Sequence, residues 1–140
     1  EKESEMRLLI NNLLIHLLEI FKKGAYPLDK SLTESKRTVE FFIEDMEKTF
    51  DYPWTLERMA GYCHLGKTRF TTFFRKLTNS SPIEYLNRLR IEKSMEKLRE
   101  NKQSITEIAY SCGFSSVHYY SNVFRKLNGF SPRSYQNKMR

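Results

Sequence analysis

The stretch "SITEIAYSCGFSSVHYYSNVFRKLNGFSPRSY", Ser104 to Tyr135, carries the plan of the fold. Ser104 and Glu107 stand three residues apart ahead of an apolar run. At that spacing a Ser hydroxyl caps the first backbone N–H groups of a helix and the Glu reaches back. Ile105, Ile108 and Ala109 then share one face of a short helix. "SCGFSS" interrupts it, and Gly113 is free to take a left-handed backbone. Tyr120, Val123, Phe124 and Leu127 recur at i, i+3, i+4 and i+7, which predicts a second helix. Gly129 ends it and Ser131-Pro132 starts another. A short helix, a tight turn and a second helix make a helix-turn-helix.

The same phrase occurs earlier. Phe74-Arg75-Lys76-Leu77 returns as Phe124-Arg125-Lys126-Leu127, Ser81-Pro82 as Ser131-Pro132, and Tyr85 as Tyr135. Leu56, Met59 and Ala60 predict the first unit's short helix, and Phe70, Phe73, Phe74 and Leu77 its second, from about Lys67. The offset is 49 before the break and 50 after it, so the second turn is one residue longer. His64 falls where Gly113 stands, so the two turns need not be identical. Between the units, Ser81 and Glu84 form another capping box and no breaker follows until about Glu100. That helix spans about 28 Å at 1.5 Å per residue, against about 34 Å between successive major-groove faces on one side of a duplex.

The expected fold is all-α: two helix-turn-helix subdomains, at about 55–80 and 105–130, joined by a linker helix at about 82–100 and preceded by an N-terminal amphipathic helix. Upstream, Val39, Phe42, Ile43 and Met46 share one face of a further helix, expected to run to Pro53. Residues 1–30 form a separate region, a helix and a connection. In it Met6, Ile10, Leu13, Leu17 and Ile20 recur at spacings of 4, 3, 4 and 3, with too much apolar surface to stand alone in water. Arg7, Asn11, Asn12, His16 and Glu19 make it a poor membrane span.

Charge divides sharply along the chain. Residues 1–50 carry 8 Lys and Arg against 10 Asp and Glu; residues 51–140 carry 16 against 7. No carboxylate side chain lies between Glu57 and Glu84, and none follows Glu107. A basic, acid-poor surface suits a polyanion. Opposite the Phe stripe, the first unit's second helix presents Lys67, Thr68, Thr71, Thr72 and Arg75. The second unit presents Val117, His118, Ser121, Asn122 and Arg125, with Tyr119 beside them. These are short polar and cationic side chains on a helix that fits the major groove.

The stretch from Ser104 to Tyr135 follows the pattern "IA…GF…YFS.VF+K..G.SP..Y" and resembles the DNA-binding domain of AraC/XylS-type bacterial transcription regulators; the resemblance covers about Val39 to Met139. It implies base reading by Lys67, Thr68, Thr71 and Thr72 in the first unit, and by Val117, His118, Tyr119 and Asn122 in the second. It implies phosphate contacts from Arg75, Lys76, Ser81, Arg125 and Ser131. Its partners are double-stranded DNA and RNA polymerase, in the cytoplasm, with neither cofactor nor metal. The regulator is expected to be an activator. Thr72 and Asn122 stand where the family often has Arg, so guanine reading there is in doubt, and Ser94 replaces a small Ala usual in the linker. Many members carry an N-terminal domain that binds a small-molecule effector and dimerises. Two readings of residues 6–21 therefore stand: the last helix of such a domain, pairing with a second copy, or a helix that packs on the DNA-binding body.

Two other classes are weighed. Some proteins fuse this type of domain to DNA-repair alkyl transfer, which needs a reactive cysteine; Cys63 and Cys112 instead sit in the turns among apolar residues, as buried thiols would. His16, His64 and His118 are too dispersed for a metal motif. A protein-interaction module with basic faces would bind acidic partners, and DNA only without sequence preference.

Overall fold

A computed structural model describes residues 2–23 and 30–140, all of whose regular elements are helices. They are α1 (Lys2–Lys23), α2 (Lys30–Met46), α3 (Leu56–Tyr62), α4 (Lys67–Thr78), α5 (Pro82–Glu100), α6 (Ile105–Ser111), α7 (Val117–Asn128) and α8 (Pro132–Lys138). The chain divides into two compact units, Glu1–Arg37 and Thr38–Arg140. Most of the connection expected before residue 30 lies outside the described residues. In the first unit, the apolar residues of α1 from Leu13 to Leu18 are exposed, as are Met6, Leu9 and Ile10.

The second unit holds two cores. Val39, Phe42 and Met46 from α2, Met59 and Ala60 from α3, Phe70 and Phe74 from α4, and Leu86 and Leu89 from α5 make the first. Ile91 and Leu98 from α5, Ile108 and Ala109 from α6, Phe114, Tyr120 and Phe124, and Tyr135 from α8 make the second. The spaced Phe residues are core, and truncating a fully buried one such as Phe74 to Ala would cost about 3–5 kcal/mol. Helix α5 serves both cores with different residues, so it is a shared wall as well as a spacer.

Local chemistry explains the helix ends. Ser81 and Ser104 both close capping boxes, with Glu84 and Glu107. Thr55, Ser116 and Ser131 also accept a backbone N–H at the starts of α3, α7 and α8. Asn79 and Gly129 end α4 and α7 in left-handed conformation. The turn of the first unit runs Cys63 to Gly66 and that of the second Cys112 to Ser116, one residue longer. Each turn has one residue of positive φ, His64 at 55° and Gly113 at 91°.

One boundary differs from expectation. Helix α2 stops at Met46, not at Pro53. The N–H groups of Lys48 and Thr49 both turn back to the Asp45 carbonyl, and the chain leaves the helix in tight turns. Side chains from elsewhere take the next carbonyls: Trp54 Nε1 donates to Thr49 O at 2.9 Å, and Arg90 donates to Phe50 O and Tyr52 O.

Candidate nucleic-acid interface

Helices α4 and α7 are the second helices of the two units, each 12 residues long and each with its Phe or Tyr stripe buried. On α4, Lys67, Thr68, Thr71, Thr72 and Arg75 line one shallow concavity, so these sequence-predicted residues do come together. Thr71 is half-buried; the other four are exposed. The Thr72 hydroxyl donates to its own helix at Thr68 O, 2.9 Å away, which leaves it only acceptor capacity. On α7, His118 and Asn122 are exposed and joined, Asn122 Nδ2 to His118 Nε2 at 3.2 Å. Val117 is half-buried and packs on the second core, which limits its reach. Tyr119 is exposed, but its hydroxyl accepts from Asn87 Nδ2 at 2.8 Å, so α5 holds it.

Arg75, Lys76, Arg125 and Lys126 are all exposed at the C-terminal ends of α4 and α7. Ser81 and Ser131 are half-buried, and both hydroxyls already act as caps, accepting from Glu84 N at 3.3 Å and Ser134 N at 3.1 Å. At Ser81 the backbone N–H is also occupied, by Glu84 Oε2 at 3.4 Å. Hydrogen bonds from the Ser81 side chain and backbone hold Glu84 below the usual carboxylate range, with Lys126 and Arg75 adding attraction.

Two acids therefore stand closer to these faces than the acid-free reading of α4 and α7 suggests. Glu84 shares a cleft with Asn87, Tyr119, Asn122 and Lys126. Glu57, from α3, pairs with Lys67 at 3.3 Å, both side chains being largely exposed. Each comes from a neighbouring helix, which a reading of one helix face at a time misses. Lys126, which aligns with Lys76, lines the same cleft as Glu84.

Burial pushes the Cys63 thiol up to about 11 and also raises that of Cys112. Both are buried and free. Neither has the lowered pKa that a nucleophilic thiolate needs. Among the described residues no cluster of His, Cys, Asp and Glu could hold a metal ion, and no helix is long and apolar enough to cross a membrane.

Comparison with known proteins identifies the family of this fold. A family model described as a helix-turn-helix domain, of AraC type, matches residues 59–138. The chain belongs to the AraC-type family. Relatives include the MmsAB operon regulatory protein of Pseudomonas aeruginosa, 28% identical over 114 residues, which are 81% of this chain and 37% of that protein. The transcriptional activator RhaS of Escherichia coli is 31% identical over 121 residues, 86% of this chain and 43% of RhaS. The chain thus spans about two fifths of the length of these relatives. The DNA-binding domain of AdpA, a global transcriptional factor crystallised with a target DNA, matches with a TM-score of 0.69 at 25% identity. That match covers 71% of this chain and 90% of the AdpA domain. AraC-type domains bind double-stranded DNA, and the family is one of transcription regulators rather than of enzymes.

Proposed function

We propose that the chain binds one DNA site sequence-specifically, with α4 and α7 reading adjacent major-groove segments of a transcription regulator's operator. The observation that supports this reading most is the pairing of two equivalent helices, both with exposed polar and cationic faces, on one shared α5. Lys67, Thr68, Thr71 and Thr72 face bases in one segment; His118, Tyr119 and Asn122, with Val117 at the margin, face bases in the other. Arg75, Lys76 and Arg125 take phosphates, which supply affinity and register, while the base-facing residues supply sequence choice. Ser131 offers a phosphate its helix start. Ser81 would do so only beside the Glu84 carboxylate.

Residues 31–140 act in this reading as the DNA-binding domain. Residues 1–30 are the end of an effector or dimerisation domain, with a second copy covering residues 6–21. The likeness to RhaS, named a transcriptional activator, favours activation; contact with RNA polymerase, in the cytoplasm, belongs to the same proposal. Any small-molecule effector would bind a domain preceding this one.

Selection of bound duplexes from a random pool tests the core of this. We expect one enriched site with two short motifs about one helical turn apart, protected together in a footprint. Binding without sequence enrichment would leave only a basic module that coats DNA.

A further inference from the structure

The two halves of the second unit meet at Arg90. On α5 it sits between Leu89, which belongs to the first core, and Ile91, which belongs to the second. Only 6% of its surface is exposed. Arg90 Nε donates to Phe50 O and Nη2 to Tyr52 O, both at 2.7 Å, and its guanidinium lies 5.7 Å from the centre of the Phe114 ring. The carbonyls belong to the α2–α3 loop of the first half. Phe114 belongs to the turn of the second. One buried cation thus holds both, and losing either bond would strand a buried polar group.

The backbones also touch there. A Cβ on Gly113 would lie 2.9 Å from both Asp51 Cα and Asp51 O, and 3.0 Å from Arg90 Cζ. At a φ of 91° that position is strained for any other residue as well. Gly113 therefore lets the turn of the second half press against the loop of the first. The Phe50 ring packs on both cores. One turn back along α5, Asn87 ties the same helix to Tyr119 in the first turn of α7.

We propose that this clasp sets the base-pair spacing accepted between the two half-sites, with Arg90 as the residue that positions one reading helix against the other. The proposal rests on the two-helix reading above. Adding one base pair between half-sites rotates the second by about 34° and moves it by about 3.4 Å. A hinge at α5 would absorb such a change. A joint braced on α5 by Arg90 and Asn87, and beside it by the close approach of Gly113 to Asp51, refuses it.

The test uses the full chain and its selected duplex, with the half-sites moved apart by −1, +1 and +2 base pairs, and a duplex with only the first half-site, the one assigned to α4. Wild type should lose about tenfold in affinity for each base pair of change, comparable to a mismatched base pair. Arg90→Met removes the charge and keeps an apolar stem; Asn87→Ala removes an outer bond without opening a core. Both should bind the single half-site within about twofold of wild type, while the spacing penalty shrinks to about threefold or less, more in Arg90→Met. Variants that bind the half-site normally and keep the wild-type penalty overturn the clasp alone. Loss of half-site binding in Arg90→Met, with an unchanged penalty in Asn87→Ala, overturns it too and makes Arg90 a folding residue. A wild type indifferent to spacing overturns both the clasp and the two-helix reading.

Discussion

Glu84 Oε2 stands 3.4 Å from the backbone nitrogen of Ser81, at the start of α5, whereas the equivalent place at the start of α8 is held by Ser134. The two helix starts share Ser-Pro but differ in charge. We expect Glu84→Gln to keep the capping geometry, since Gln also serves in such boxes. It removes an anion that faces Arg75 and Lys126. DNA affinity should rise severalfold on all sequences, with base preference unchanged, in titrations at fixed salt. Unchanged affinity would place Glu84 away from the duplex.

Asn122 sits with His118 on the exposed face of α7. Asn122→Ala should relax preference at one or two base pairs of the second motif, where a good bidentate contact contributes about 1–3 kcal/mol of discrimination. Repeating the pool selection with the variant reads this directly. An equal loss on every sequence would refute a base-reading role.

Arg125 is exposed in the last turn of α7. Arg125→Ala should weaken binding to all sequences alike. The slope of log affinity against log salt should become shallower by about 0.9. An unchanged slope would mean that Arg125 does not neutralise a phosphate.

Tyr120 is fully buried, and its hydroxyl has no hydrogen-bond partner. Burial pushes it up to about 12, while nearby Ser94 pulls the other way. Ser94 Oγ spends its proton on Ile91 O at 2.7 Å, so toward Tyr120 it can only accept, and no bond of normal geometry forms between the two hydroxyls. Tyr120→Phe keeps the ring and removes the stranded hydroxyl. Denaturant melts should show equal or greater stability, by up to about 1–2 kcal/mol. A loss of 1 kcal/mol or more would mean that the hydroxyl has a partner after all.

Cys63 and Cys112 should resist thiol reagents at pH 7–8 in the native protein and react on unfolding, because burial raises both thiols. Rapid modification of either in the folded state would contradict their placement in the cores.

What was legible in the sequence was what a single helix can express. The stripes of α4 and α7, the caps at Ser81 and Ser104, and the left-handed stop at Gly129 depend on residues a few positions apart. What was not legible depends on distant chain. Arg90 reads as one more charge on a helix surface until carbonyls from 40 and 38 residues away arrive to bury it. The pairing of Glu57 with Lys67 is hidden in the sequence because the two stand on successive helices. Gly113 was read as a turn residue; that it also yields room to Asp51 required the other half.

Leu86 and Leu89 face one core while Ile91 and Leu98, on the same helix, face the other. A duplicated unit of this kind has surrendered its independence. Neither copy owns all the side chains it needs, so a cut through the middle of α5 would leave two fragments that each lack a wall. The pair should melt as one cooperative transition, with coincident changes in helicity and Trp54 fluorescence, although only one copy carries the Trp.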